Sequence, residues 1–175
     1  DLRRTIPIGD AALFAGTQVV DKALGASRGL TKVKNALDQL TGQRCARASS
    51  WDEWETVVVN QTPGLLVLIV HTDWEPLPLD EQKMEIGEER WLLYNDIRRD
   101  LVTAGADVAP LLLLIGCETG HADIRYQALS EKFKREGAAI VVSSGATIHS
   151  RHAVPVVEAL VELLQQFRDD EPVLF

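Results

Sequence analysis

Two cysteines, Cys45 and Cys117, and four histidines, His71, His121, His149 and His152, are the side chains best suited to covalent or proton-transfer chemistry. Cys117 follows the apolar run Leu111-Leu112-Leu113-Leu114-Ile115 and stands in the turn Gly116-Cys117-Glu118-Thr119-Gly120. A thiol attacks only as the thiolate, so a nucleophilic cysteine needs a base nearby and an open approach. His71 closes a second apolar run, Leu65-Leu66-Val67-Leu68-Ile69-Val70, 46 residues before Cys117. If the two runs are neighbouring strands, the imidazole can take the thiol proton, and backbone N–H groups of the glycine-flanked turn can hold an oxyanion. That is acyl-transfer chemistry. Taken singly, each residue has a plainer meaning: a cysteine closing a strand is a small hydrophobe, and a strand-end histidine is a hydrogen-bonded polar group.

Other groupings point nowhere as specific. Cys117 and His121 have the i, i+4 spacing of two metal ligands on one helical turn, but no second Cys/His pair with ligand spacing accompanies them, and no metal or cofactor is expected. His149 and His152 read as solvated loop residues. Gly116 and Gly120 are not followed by the Lys-Ser/Thr of a phosphate-binding loop.

The elements that would position His71 and Cys117 alternate in type. Ala11–Gly16 is a short apolar run read as a strand. Leu30, Val33, Ala36, Leu37 and Leu40 form the stripe of a helix over 29–40, stopped by Thr41-Gly42. Residues 43–48 alternate as a strand, and Ser50 caps a helix running from Trp51 to about Val59. Strands follow at 65–70, 111–115 and 139–142, the last read as buried. The residues Trp91, Leu92, Ile97 and Leu101 predict a helix over 90–102, and further helices are predicted over 126–135 and 154–167. Lys83-Met84-Glu85-Ile86-Gly87 reads as a small extended excursion within the long connection after His71. Strand and helix in alternation imply a mostly parallel sheet with helices on both faces, a three-layer α/β/α sandwich with ligand chemistry at the strands' carboxyl ends.

The chain of 175 residues is long enough for one domain with its own core, read here as residues 1–175. A net charge of −8 disfavours binding to a phosphate backbone, and no basic cluster counters it. No apolar run approaches the roughly 20 residues of a membrane-spanning helix. The start, Asp1-Leu2-Arg3-Arg4, has neither Met nor an apolar leader, so it reads as a piece of something longer, of cytoplasmic location.

Residues 111–120 resemble the cysteine strand of CHAT domains, the caspase-like cysteine peptidases. Leu66-Val67-Leu68-Ile69-Val70-His71 resembles their histidine strand, Met84-Glu85-Ile86-Gly87 the extended piece after it, and residues 137–145 the strand that follows. The caspase histidine also lies about 50 residues before its cysteine. The resemblance implies a caspase-hemoglobinase-like fold and endopeptidase activity on a protein substrate, with His71 and Cys117 as the catalytic pair. Thr72 and Gly116 would fall beside the oxyanion, and Trp74, Glu118, Ser143 and Ser144 would lie along the substrate. It implies control by a regulatory protein or a fused domain, in prokaryotic antiviral defence or cell death. One position departs from the family: Thr72 stands where glycine commonly follows the histidine, and a β-branched residue restricts φ and narrows the approach. The alternatives are a catalytically inactive caspase-like interaction module and a flavodoxin-like ligand or signalling domain.

Overall fold

A computed structural model describes residues 6–17, 28–75, 81–87, 90–105, 108–116, 129–146, 148 and 150–169. Five strands, β1 (Ala12–Gly16), β2 (Cys45–Ala48), β3 (Leu65–Ile69), β7 (Leu111–Ile115) and β8 (Ile140–Ser143), form one sheet in the order β2-β1-β3-β7-β8. Every pairing in it is parallel. β1, β3 and β7 are buried along their whole length, which explains why their sequences are apolar at every position rather than alternating.

Side chains of a strand alternate between its faces, so each central strand feeds two cores. Leu66, Leu68, Leu112 and Leu114 meet α2 (Trp51–Gln61) and α3 (Leu129–Arg135) on one face. Leu65, Val67, Ile69, Leu111, Leu113 and Ile115 meet α1 (Arg28–Thr41) and α4 (Ser150–Asp169) on the other. The stripe Leu30, Val33, Leu37 and Leu40 of α1 is buried, as its spacing predicts, and so are Val157 and Val161 of α4. The fold is therefore α/β, a parallel sheet with helices on both faces. Among the described residues no helix is long and apolar enough to cross a membrane.

Local signals act where the sequence puts them. Ser50 caps α2, its hydroxyl accepting from the Glu53 N–H at 3.2 Å, while Glu53 reaches back to the Ser49 N–H at 2.8 Å. Gly42, at φ 63°, ends α1 in the left-handed conformation that glycine adopts without cost. Gly64 lets the chain enter β3 against residue 7: a Cβ there would lie 2.2 Å from the Pro7 carbonyl oxygen.

Three expectations are corrected. Residues 90–102 do not form an α-helix. Leu92 and Leu93 make β6 (Leu92–Leu93), and two 3₁₀ turns follow at Tyr94–Asp96 and Arg99–Leu101. Pairing of Lys83 and Met84 with Leu93 and Leu92 captures those residues, and the Glu81 carboxylate accepts from the Asn95 N–H at 2.9 Å. Tyr94, Ile97 and Leu101 are buried nonetheless, so the apolar spacing reflects a core-facing loop. β8 is an edge strand, with Ile140 50% and Val142 36% exposed, because no strand pairs with it on its far side among the described residues. His71 does not end β3. It opens β4 (His71–Glu75), which pairs with β5 (Glu81–Glu85), itself paired with β6, in a separate antiparallel sheet, so the excursion after His71 is a built element.

Candidate active site

β3 and β7 are neighbours in register, Leu65 opposite Leu111 through Ile69 opposite Ile115. The pairing continues past the strands, the Val70 N–H donating to the Ile115 carbonyl at 2.9 Å. His71 and Gly116 thus stand at the same carboxyl edge of the sheet. Cys117 follows Gly116 in the chain and, with Glu118 and His121, lies outside the described residues, as does the side chain of Trp74. On the other flank of β3, the Thr17 N–H donates to the Ile69 carbonyl at 2.9 Å, so the exits of β1, β3 and β7 lie side by side.

His71 is half-buried, its ring centroid 5.6 Å from that of Trp91 at an interplanar angle of 54°. The β4–β5–β6 sheet sets this contact. Met84 and Leu92 turn into the core, which directs the alternate residues His71, Glu85 and Lys83 to the opposite face. His71 pairs with Glu85, and Asp73 with Lys83. Thr17, 3% exposed, donates its hydroxyl to Glu85 Oε1 at 3.2 Å. Lys83 Nζ lies 4.8 Å above the Trp91 ring, 2.8 Å from Glu75 and 3.9 Å from Asp73. The hydrogen bond to Glu75 raises the Lys83 pKa above the usual lysine value.

Thr72 is half-buried in the β4–β5 ladder opposite Met84, a place where a β-branched residue is at home. Gly116 is held from the β8 side. Its N–H donates to Ser144 Oγ at 3.2 Å, and the Ser144 hydroxyl donates to the Gly116 carbonyl. The Gly116 amide is engaged by Ser144, so an oxyanion would draw on other amides. Ser144, 8% exposed, acts here as a brace between the exits of β7 and β8. Ser143 is half-buried in β8 opposite Leu114.

Further along the same edge, a cavity of about 220 Å³ is lined by Ser49, Trp51, Asp52, Ile86, Gly87 and Arg90. Cys45 contrasts with the edge residues. It is a free, buried thiol whose pKa is pushed up to about 12, chiefly by burial, with Lys34 lowering it and Asp38 raising it. Glu85, Trp91 and Thr17 escaped the sequence reading as site residues. The inward pair Met84 and Ile86 was the available signal for Glu85, since in an extended segment the residue between them points the other way.

No protein-family model matches the chain, and no curated protein matches it.

Proposed function

We propose that the chain is a caspase-like cysteine endopeptidase, with Cys117 as nucleophile and His71 as its acid/base partner. The observation that carries this reading is the register of β3 with β7, which brings His71 and the residue preceding Cys117 to one carboxyl edge. The resemblance of residues 66–71 and 111–120 to the histidine and cysteine strands of CHAT domains supports it independently.

In this reading the Cys117 thiol gives its proton to His71, and the thiolate attacks a peptide carbonyl. Backbone amides around Cys117 and Thr72 hold the resulting oxyanion, each such donor contributing about 3 kcal/mol to the transition state. His71 then passes the proton to the amine nitrogen as the C–N bond breaks, leaving a thioester on Cys117. Water, deprotonated by His71, cleaves the thioester, frees the new carboxyl terminus and restores the thiol. The substrate is a polypeptide, and a regulatory protein or fused domain would gate access to this edge.

A panel of peptidyl acyloxymethyl ketones differing in the residue before the reactive carbonyl tests the proposal. The expected result is one adduct per chain, mapped to Cys117 and abolished by Cys117→Ala. Absence of any adduct across the panel, or an adduct on Cys45, would overturn it. One observation favours the inactive interaction module as a second reading: Ile140 and Val142 of β8 and Val156, Leu163 and Phe167 of α4 are exposed apolar side chains. Under that reading the panel leaves Cys117 unmodified.

A further inference from the structure

We propose that Glu85 is the positioning residue for His71, the third member of a thiol–imidazole–carboxylate arrangement. The inference rests on the peptidase reading and adds to it a residue from β5. Three observations place Glu85 in this role. It is the direct cross-strand partner of His71, and opposed residues of an antiparallel pair carry their Cβ atoms on one face about 4.5–5.5 Å apart. Its carboxylate is anchored: Oε1 accepts from the buried Thr17 hydroxyl at 3.2 Å, and Thr17 is itself tied through its N–H to the Ile69 carbonyl at 2.9 Å. The anchor sits on the β1 side of β3, whereas Gly116 lies on the β7 side. His71 therefore stands between an anchored carboxylate on one flank and the strand leading to Cys117 on the other. An activated nucleophile needs a base that is in turn oriented by a third group, and this order along the edge supplies one.

The surrounding groups fit the role. Trp91 packs against the imidazole and limits its rotation. Lys83, a cation on that face, is bound by Glu75 and Asp73, which offset its charge toward His71. In this role Glu85 orients the ring and stabilises the imidazolium formed when Cys117 gives up its proton.

The test is the pH dependence of Cys117 carboxamidomethylation by iodoacetamide, which needs no substrate. It is followed by peptide mass mapping in the wild type, Glu85→Gln, Glu85→Asp and His71→Ala, with thermal unfolding as the folding control. Glu85→Gln keeps the shape and removes the charge. It should slow labelling near neutral pH about tenfold, the equivalent of one pH unit in the onset of reaction, and leave the rate in alkali unchanged. Glu85→Asp should recover most of the loss. Thr17→Val, which frees the carboxylate from its anchor, should move the onset in the same direction by a smaller amount and serves if Glu85→Gln unfolds. A Glu85→Gln profile superimposed on a wild-type profile that His71→Ala does disturb would overturn the role of Glu85 alone. A wild-type profile of an ordinary thiol, indifferent to His71→Ala, would overturn the peptidase reading and this inference with it.

Discussion

His71 and Cys45 show how placement decides what a reactive side chain does. His71 leaves the sheet into a strand whose alternate residues face away from the core, and it meets Trp91 there. Cys45 begins β2 inside the core beneath α1, and burial keeps it protonated. Its pKa is raised above the ordinary thiol value, so the native state holds that proton more firmly than the unfolded chain. The resulting stability is full below the ordinary value of 9.0 and is lost as pH rises toward about 12. Thermal unfolding of the wild type and Cys45→Ala at neutral pH and in alkali should show a shallower alkaline loss in the variant; equal losses would mean that Cys45 titrates normally. At this scale the sequence marked His71 by its strand and spacing. It did not mark Trp91, whose apolar spacing imitated a helix.

Among the elements, α2 was the most readable and the stretch after Arg90 the least, for connected reasons. The start of α2 is encoded locally: the Ser50 hydroxyl accepts from the first-turn Glu53 N–H, and the Glu53 carboxylate accepts from the Ser49 N–H just before the cap. Ser50→Ala should cost about 1 kcal/mol in denaturant unfolding, the usual value of an N-cap. The Ser49 hydroxyl and N–H hold Glu53 below the usual carboxylate range, so this box contributes above that range and fades as pH falls through the lowered value. Residues 92–101 are held by tertiary partners that no local signal names: the ladder to β5, Glu81 on the Asn95 amide, and Trp54 Nε1 donating to the Leu101 carbonyl at 2.8 Å. Trp54→Phe should leave that carbonyl buried and unpaired at a cost of about 1–3 kcal/mol. A loss under a few tenths of a kcal/mol would show that the bond does not hold this segment.

For the whole molecule, the apolar runs at 65–70 and 111–115 announced central strands, and alternation of elements announced the parallel sheet. The order β2-β1-β3-β7-β8 was not in the composition of any strand; it depends on crossovers that carry α1 to one face and α2 to the other, which is a matter of tertiary packing. The edge position of β8 was hidden because Ile140, Val141 and Val142 are as apolar as a buried strand. Leu66 is fully buried in one of the two cores and Leu113 in the other, so Leu66→Ala and Leu113→Ala should each destabilise the fold by about 2–5 kcal/mol. Because the two cores share the sheet, either loss should appear in a single unfolding transition.

Whether His71 activates Cys117 across the β3–β7 edge is read most directly from the rate at which limiting iodoacetamide labels Cys117 near neutral pH, in the wild type, His71→Ala and His121→Ala. His121 is the rival by proximity in sequence, four residues from Cys117. Label is expected at Cys117 well ahead of Cys45, with a fall of about tenfold or more in His71→Ala as the thiolate loses its partner, and little change in His121→Ala. Equal rates in the wild type and His71→Ala, or the larger loss in His121→Ala, would contradict it.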